Sequence, residues 1–294
     1  MIISNLEGGL GNQMFEYAAA FALARHHNVP LKIDNLFLLD TSPRYYRFEC
    51  RPYCLDIFNI SGELATKKEI KQFVTPRAGN KYWYHLRKRI FRSKNVFNEA
   101  QIPDYESLIS LPSNAYLDGC FQKYRYFSAI KDNLMREFEF KYPLQQESLP
   151  ILIQIKESNS VCIHIRKGDY VGHPILDVLS DKYYDKAIDL LCKQISNTVL
   201  FVFSDDIPWC QKNFHPQTDY PIIFIDSKHA EDRGRGHLQL MTNCKHFIIP
   251  NSSFSYWGAF LAKNENKIVI APKVWYKGQV DTINPILPPD WLYI

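Results

Sequence analysis

The sequence predicts an α/β protein built from two units, each with parallel strands covered by helices. Residues 2–34 run as an apolar strand, a glycine-rich turn, an Ala- and Leu-rich helix and a second strand, which is the order of a βαβ unit. Residues 161–271 alternate short Val-, Ile- and Phe-rich runs with helical patterns, which indicates a second parallel sheet. A chain of 294 residues is also long enough for two domains.

In the first half, the spacing of the apolar residues places the elements. Residues 40–112 are punctuated by prolines and have no strong period, so they predict irregular structure with one or two helices. The expected strands are 2–6, 31–34 and 116–121, and the expected helices are 14–27, 63–73, 82–92 and 127–138. The polar, proline-bounded stretch 142–150 is expected to link the halves, so the predicted domains are 1–145 and 146–294.

The second half gives a clearer pattern of alternating strands and helices. The expected strands are 161–165, 199–203, 222–225, 246–249 and 267–271, and the expected helices are 183–195, 235–244 and 253–263. Ligands of such sheets bind beyond the carboxyl ends of the strands. The loops after these strands are therefore the places where chemistry is expected.

Composition and charge exclude several classes of protein. A hydrophobic content of 46% supplies a real core and excludes a largely disordered chain. The 35 basic and 31 acidic residues leave a net charge of only +4, which argues against a protein whose main task is to bind nucleic acid. The seven cysteines are scattered in mostly apolar strings and are expected to be reduced core residues, and Cys50 and Cys54 lack the further ligands of a metal site.

The expected location is the cytoplasm. The first residues carry no basic leader with a cleavage site, and no run of about 18 apolar residues predicts a membrane span. The segment Tyr84–Arg92 mixes four cationic residues with apolar ones. That mixture suits a solvated helix face, which we expect, or peripheral contact with the inner face of a membrane.

The first candidate loop is Gly8–Gln13, between the opening strand and its helix. Glycines let a ligand approach the backbone, and a helix N-terminus offers N–H groups to a phosphate. Asn12 and Gln13 add amides that can bind a sugar hydroxyl or a phosphate oxygen. The spacing is not the GxGxxG of dinucleotide-binding proteins, and a capping Asn in a tight turn is the structural alternative.

The second candidate loop is His164–Tyr170, at the end of the predicted strand 161–165. His164 and Arg166 point the same way from a strand, so their polar ends project together. The planar fork of an arginine suits a diphosphate, and Asp169 is near enough in sequence to orient that arginine or to take a proton. A structural ion pair is the alternative.

Two further polar loops, Phe203–Asp206 and Pro250–Ser255, also follow predicted strands. The adjacent carboxylates Asp205 and Asp206 could ligate a divalent metal, but capping of the next helix explains one of them without an ion, and we expect no metal. The hydroxyls and the amide of the second loop stand near a helix N-terminus and fit a phosphate site better than a bare cap.

Four polar loops at strand ends of an α/β protein describe a nucleotide-handling site. A nucleotide-sugar transferase, a dinucleotide oxidoreductase and a nucleotide- or glycan-binding module without catalysis all fit such loops. The oxidoreductase is disfavoured because GxGxxG and the paired His and Arg of such enzymes are lacking. A binding module would not require a strand-end arginine and phosphate-type loops.

The motifs Gly8–Phe15, His164–Tyr170, Phe203–Asp206 and Asn251–Ala259 together resemble the bacterial α-1,2-fucosyltransferases of glycosyltransferase family 11. Gly119–Gln122 also looks like that family. The resemblance implies a GT-B-like fold, with two Rossmann-type lobes facing a central cleft. The lobe of residues 1–145 would be mainly the acceptor side, with its glycine loop reaching the donor, and the lobe of residues 146–294 would bind GDP-fucose.

The resemblance also implies a reaction. It is the inverting transfer of L-fucose from GDP-β-L-fucose to O2 of a terminal β-galactose, on a free or lipid-linked glycan of a surface polysaccharide. No metal and no cofactor are implied, since GDP-L-fucose is the donor substrate. A transferase that uses GDP-fucose to make another linkage is the near alternative.

The resemblance carries roles to individual residues. Arg166 matches the arginine that grips the diphosphate, and Asn12 matches an amide at the phosphate and fucose end of the donor. Asp169 is our predicted catalytic base for the acceptor hydroxyl, and its rival role is to hold Arg166. The predicted donor-binding residues are Gly9, Gly11, Asn12, Gln13, His164, Arg166, Ser204, Asp205, Asn251, Ser252, Ser253 and Phe254.

Two positions depart from the family pattern. Lys167 stands where most relatives have a second arginine, which keeps the charge and loses a fork. His237 stands where relatives often have an acid that would suit the guanine N–H groups, so Glu231, Asp232 or a backbone carbonyl could take that part. The acceptor groove is expected to include aromatic and basic residues of the first half, namely Tyr45, Tyr46, Arg47, Trp83 and Tyr84.

Overall fold

The computed structural model describes residues 1–39, 51–74, 93–279 and 284–294, which fall into two compact units, Met1–Lys141 and Tyr142–Ile294. Tyr142 and Pro143 belong to the second unit because their carbonyl groups accept hydrogen bonds from Nη1 of Arg235, at 3.1 and 3.0 Å. Several predictions fall outside the described residues. They are the helix 82–92, the segment Tyr84–Arg92, Cys50, and the acceptor residues Tyr45, Tyr46, Arg47, Trp83 and Tyr84.

Within the described residues, the first unit has a sheet of five parallel strands. They are β1 (Ile2–Asn5), β2 (Leu31–Asp34), β3 (Glu63–Leu64), β4 (Val96–Asn98) and β5 (Ala115–Asp118). They lie in the order β3-β2-β1-β5-β4. The chain therefore builds outward from β1 to β3, then forms the opposite edge strand β4 and returns to β5 beside β1.

The described helices of the first unit are α1 (Leu10–His27), α2 (Leu36–Leu39), α3 (Lys67–Ile70), α4 (Tyr105–Ile109) and α5 (Lys131–Glu137). Short 3₁₀ turns lie at Leu55–Ile57, Glu99–Gln101, Tyr124–Tyr126 and Ser128–Ile130. The Ala-rich α1 is buried along most of its length. It ends at Asn28, whose left-handed backbone lets its N–H donate to the carbonyls of Ala24 and Arg25.

The second unit has a parallel sheet of six strands within the described residues. They are β6 (Asn159–Ile165), β7 (Thr198–Ser204), β8 (Ile222–Phe224), β9 (His246–Ile248), β10 (Val269–Ala271) and β11 (Leu292–Tyr293). The order β11-β10-β9-β6-β7-β8 is that of a Rossmann-type sheet. It confirms the parallel sheet that the alternating pattern predicts and the Rossmann-type lobe that the family resemblance implies.

The described helices of this unit are α6 (Leu149–Glu157), α7 (Asp181–Cys192), α8 (Ile207–Asn213), α9 (Arg235–Met241) and α10 (Ser253–Leu261). Its 3₁₀ turns are Gln146–Ser148, Gly168–Tyr170, Ser227–Ala230 and Asp232–Gly234. None of the helices in the described parts of the chain is both long and apolar enough to cross a membrane.

The core of the second unit forms around β6, which is buried on both faces. Val161, Ile163 and Ile165 share one hydrophobic cluster with the buried side of α7. Cys162 and His164 alternate with them and face the opposite layer. This alternation decides which side of the sheet each functional side chain reaches.

Some predicted elements differ from the structure. Helix α1 begins at Leu10 instead of residue 14, so most of the predicted glycine turn lies in its first turns. The predicted helix 63–73 is the edge strand β3 followed by the short α3, which starts at a capping box of Thr66 and Glu69. Strands β3, β4 and β11 and helix α4 were not predicted, because elements of two to five residues show too little periodicity. Helix α8, which Asp206 was expected to cap, was predicted without bounds.

We predict that Gly8→Ala destabilises the protein by about 1–2 kcal/mol, because it places an L-residue in left-handed backbone. Gly8 has a φ of +73°, and an added Cβ would lie 2.6 Å from Nδ2 of Asn12. Gly9→Ala is the matched control, since its φ is −83° and the nearest atom to its added Cβ is Cγ of Arg51 at 4.0 Å. Urea unfolding of both variants measures the difference, and equal stabilities would show that the Gly8 turn relaxes without strain.

Candidate functional site

The topology of the second unit brings its predicted loops to one edge of the sheet. Strands β6 and β9 are neighbours, with Ile163 paired to Ile248. The strand order reverses between them, because β7 and β8 lie on one side and β10 and β11 on the other. Nucleotides bind doubly wound sheets in the crevice at such a reversal, beyond the carboxyl ends of the strands.

Arg166 is the first residue after β6, and its guanidinium lies between two carboxylates. Its Nε and Nη2 donate to Oδ1 of Asp169 at 3.0 and 2.6 Å, and its Nη1 lies 3.2 Å from Oδ2 of Asp205. The Tyr170 ring centroid lies 5.5 Å from Cζ of Arg166. Burial opposes the charge, but Asp205 and Asp169 outweigh it and raise the pKa of Arg166. The structure thus holds a permanent cation at the reversal point.

Asp205 positions this loop, and its contact with the sugar donor stays a prediction. Besides pairing with Arg166, it accepts the backbone N–H of Lys167 at 2.9 Å. This approach requires a glycine at position 168, because an added Cβ there would lie 2.4 Å from Oδ2 of Asp205. The Asp205 carboxylate therefore fixes both the backbone at Lys167 and the side chain of Arg166.

The other polar residues after β7 have structural contacts. Asp206 caps α8 by accepting the N–H of Trp209 at 3.0 Å. Ser204 is buried and accepts the N–H of Asp206 at 3.0 Å, and its contact with the sugar donor stays a prediction. Among the residues that the structure describes, no three His, Cys, Asp or Glu side chains come together as a metal site.

His164 is buried on β6, with its ring 5.9 Å from that of Phe254. Burial, helped by the charge of Arg166, lowers the pKa of His164 to about 3. Its imidazole is therefore neutral at physiological pH. The Nδ1 atom has no hydrogen-bond partner among the described residues, and a group of a bound ligand is one way to satisfy such a buried atom.

His237 is buried beside the same strand ends. Its Nε2 donates to the carbonyl of Asp226 at 3.1 Å, its ring lies 5.6 Å from that of Phe203, and burial lowers its pKa. Of the suggested substitutes for a guanine-binding acid, Glu231 has a fully buried carboxylate 2.6 Å from Nη2 of Arg235. That ion pair, with the N–H of Gln145 donating to Glu231 at 2.8 Å, gives Glu231 a structural role.

Asp232, the other suggested substitute, pairs with its neighbour. Its Oδ2 accepts from Nη2 of Arg233 at 2.6 Å, and its side chain is mostly exposed.

Lys167 stands where most relatives have a second arginine, and its side chain contacts α8. Its Nζ lies 3.5 Å from the centroid of the Trp209 ring, a cation–π contact with α8.

The loop after β9 gives its residues different roles. The side-chain amide of Asn251 donates to the carbonyls of Leu176 and Trp275, at 3.0 and 2.9 Å. Both N–H groups of this buried amide are therefore used within the fold, and the contact of Asn251 with the sugar donor stays a prediction. Its backbone carbonyl accepts the Tyr170 hydroxyl at 3.1 Å and so ties the two strand-end loops together.

The start of α10 lies in the same loop. Ser252 is buried and precedes α10, and its side chain makes no capping hydrogen bond within the described residues. Ser253 and Phe254 are half-buried at the first turn. The serines and the helix N-terminus therefore stay compatible with the predicted phosphate contact.

The glycine loop of the first unit is used partly for structure. Gln13 is buried, donates to the carbonyls of Gly8 and Pro52 at 3.0 and 2.9 Å, and accepts the N–H of Cys54 at 2.8 Å. The amide of Gln13 thus ties the loop to the fold, and its contact with the sugar donor stays a prediction. Gly11 is also buried, in the first turn of α1, whereas Gly9 and Asn12 are half-buried at its start.

Three residues with site contacts were not among the predicted ones. Tyr170 covers Arg166, Trp209 holds Lys167, and Gln122 donates to Oδ1 of Asn12 at 3.0 Å. The motif resemblances at His164–Tyr170 and Gly119–Gln122 include Tyr170 and Gln122, so those motifs were signals for both. No sequence pattern pointed to Trp209.

Two α/β units with parallel sheets, and a cation held at the sheet reversal of the second, define a GT-B-like glycosyltransferase fold. The solved structure of POFUT1 in complex with GDP matches the fold with a TM-score of 0.51. It is 14% identical, and the match covers 91% of this chain and 98% of that one. At this identity the likeness shows the fold alone.

The chain belongs to glycosyl transferase family 11, whose model matches residues 75–294. It is 34% identical to the O-antigen biosynthesis glycosyltransferase WbnK of Escherichia coli, over 94% of this chain and 95% of that protein. It is 32% identical to an alpha-1,2-colitosyltransferase of Escherichia coli, over 100% and 99% of the two chains. These findings confirm that the protein is a glycosyltransferase.

The depressed pKa of His164 predicts a loss of stability in acid. Between its ordinary pKa of 6.5 and its folded value of about 3, the unfolded chain takes up a proton that the folded chain does not. Stability is therefore lost as the pH falls through this window, by about 2 kcal/mol between pH 6.5 and 5 for this residue. Over the same pH interval, we expect the loss of stability in His164→Gln to be about 2 kcal/mol smaller than in wild type.

Urea unfolding at both pH values measures this loss. His215→Gln, at an exposed histidine, is the control and is expected to behave as wild type. Equal losses in wild type and His164→Gln would show that the folded chain protonates His164.

The adjacent carboxylates give a matched pair of variants. Asp205→Asn is expected to lower kcat/KM for sugar transfer by about tenfold or more, because it removes a charged partner of Arg166. Asp206→Asn should leave kcat/KM close to the wild-type value, since Asn caps a helix as well as Asp does. Similar losses in both variants would assign the effect to α8 instead of Arg166.

Proposed function

We propose that this enzyme transfers L-fucose from GDP-β-L-fucose to O2 of a terminal β-galactose of a glycan, with inversion at the anomeric carbon. The observation that carries the proposal is the largely buried Arg166 guanidinium, held by Asp169 and Asp205 at the sheet reversal of a family 11 chain. The resemblance of its motifs to bacterial α-1,2-fucosyltransferases supports donor, linkage and acceptor. The relative named alpha-1,2-colitosyltransferase supports the linkage.

The chemistry of the leaving group matches these residues. As the bond between the anomeric carbon and the diphosphate breaks, negative charge develops on GDP. The fork of N–H donors on Arg166 suits phosphate oxygens, and the N-terminus of α10 adds N–H groups and the positive end of a helix dipole. Fixed positive groups of this kind stabilise a leaving group without a metal, so we expect neither metal nor cofactor.

His164 and Phe254 would complete the donor site. A neutral histidine offers a polar nitrogen beside the diphosphate without adding a second charge. The half-buried Phe254 ring next to it offers an apolar face. In the first unit, Asn12 would meet the sugar and phosphate end of the donor.

Inversion requires the galactose O2 to attack the anomeric carbon from the face opposite GDP. The new bond forms as the bond to the diphosphate breaks, and a base takes the O2 proton. Asp169 stays our predicted base. Its Oδ1 accepts two N–H groups of Arg166, which supports its rival role of orienting that arginine.

One observation favours a second donor. L-colitose is 3-deoxy-L-fucose, so the 32% identity to a colitosyltransferase makes transfer of that sugar the second candidate. The likeness to a protein of O-antigen biosynthesis supports a surface polysaccharide precursor as acceptor, which would place the enzyme in the cytoplasm. A GDP-fucose transferase with another linkage and a non-catalytic binding module are the remaining alternatives, and membership of an enzyme family disfavours the module.

We predict α-1,2-fucosylation of a terminal β-galactoside by the purified enzyme, at the same rate with and without EDTA. Arg166→Ala should lower kcat by about 100-fold or more, the loss typical of removing a charge-stabilising donor. Arg166→Lys is the matched control. It keeps the charge but loses the fork, so its activity should lie between those of wild type and the alanine variant.

The assay follows GDP release and the mass and linkage of the product, with GDP-fucose and GDP-colitose offered separately. Faster transfer of colitose would replace the proposed sugar with the second candidate. Inhibition by EDTA would contradict the metal-free reaction. If the enzyme binds GDP but transfers fucose to no galactoside, the proposed acceptor is wrong.

A further inference from the structure

The loop Gly119–Gln122 follows β5, at the sheet reversal of the first unit. The strand order runs from β1 to β2 and β3 on one side and from β5 to β4 on the other. The loops after β1 and β5 therefore reach the same edge. Residues at such an edge are placed to meet a ligand, and Asn12 lies at the start of α1 there.

Glu99 holds this loop through the backbone. Its Oε2 accepts the N–H of Phe121 at 2.7 Å, and the N–H groups of Gln122 and Cys120 also act on its carboxylate. The approach is close, because a Cβ added to Gly119 would lie 2.9 Å from Cβ of Glu99 and 3.2 Å from its N. The hydrogen bond from the N–H of Phe121 thus ties one largely buried carboxylate to the backbone of the loop.

The loop is strained where Glu99 grips it. Phe121 has a φ of +48°, a left-handed conformation that a bulky residue rarely adopts. Its buried ring packs at 5.6 Å against Tyr126, whose hydroxyl donates to the carbonyl of Ile102. Such backbone persists only where its surroundings enforce it.

The strained turn sets the position of Gln122. The Nε2 of Gln122 donates to Oδ1 of Asn12 at 3.0 Å. Because this bond occupies the oxygen, it fixes which way the Asn12 amide faces. Contacts therefore run from the Glu99 carboxylate through the loop backbone to Gln122 and then to Asn12.

We propose that Glu99 is a positioning residue that holds the Gly119–Gln122 loop so that Gln122 orients the Asn12 amide toward a hydroxyl or phosphate oxygen of the donor. The inference rests on the proposed function, in which Asn12 meets that end of GDP-fucose. Glu99 acts through two other side chains and contacts no substrate. The pair that it orients is neutral, so it adds no charge next to the diphosphate.

A double-mutant cycle on kcat/KM tests the proposal. Glu99→Gln and Gln122→Ala should each lower kcat/KM for fucose transfer by about tenfold. The double variant should have the same kcat/KM as Gln122→Ala alone, because Glu99 then has no Gln122 side chain to position. Glu99→Asp keeps a carboxylate and should recover part of the activity, and Glu106→Gln, at an exposed glutamate of the same unit, is the control with wild-type activity.

A purely structural role of Glu99 would give a different result. The losses of the two single variants would then multiply in the double variant, and that outcome overturns the inference. Thermal unfolding by circular dichroism checks the fold of each variant. If Glu99→Gln does not fold, the cycle between Gln122→Ala and Asn12→Ala decides, with non-additive losses supporting the inference and multiplied losses overturning it.

The wild-type assay separates this inference from the proposed function. A wild type that transfers no fucose overturns the proposed function and the inference that rests on it. An active wild type whose Gln122→Ala variant keeps full kcat/KM overturns the inference alone.

Discussion

The site of the second unit depends on the strict alternation of side chains along β6. A parallel strand buried on both faces must send successive residues to opposite layers, so Ile163 and Ile165 pack toward α7 while His164 faces Phe254. Arg166 is the first residue beyond this constraint. The strand thus delivers a neutral buried imidazole and, two residues later, a fixed guanidinium, and a register shift of one residue would move both to the opposite side of the sheet.

The fold and most of the second unit could be predicted because its strands are continuous apolar runs bounded by polar loops. Strand-end chemistry then followed from topology, and the structure brings Arg166, Asp169 and Asp205 together as the loop order implies. The first unit was harder to predict. Its edge strands are two or three residues long, and Glu99 lies in a stretch without any period, so no sequence pattern could link its carboxylate to a loop some twenty residues later.

Several polar side chains of the predicted site also make hydrogen bonds within the fold. Gln13, Asn251 and Ser204 lie in the expected loops, and the side chain of each forms hydrogen bonds with backbone groups of the fold. The sequence shows that an amide or hydroxyl lies at a strand end. It does not show whether neighbouring backbone groups already form hydrogen bonds with that side chain. All three side chains are nearly inaccessible, whereas Asn12 and Ser253 are half-buried.

The cation–π contact between Lys167 and Trp209 gives the site an intrinsic optical reporter. Indole emission responds to a charge at short range, and the Lys167 ammonium lies 3.5 Å from the ring centroid. Lys167 is also the direct neighbour of Arg166, and its backbone is held by Asp205. An anion that draws the lysine away from the ring would change the fluorescence of this tryptophan, so occupancy of the strand-end loop can be followed without a labelled ligand.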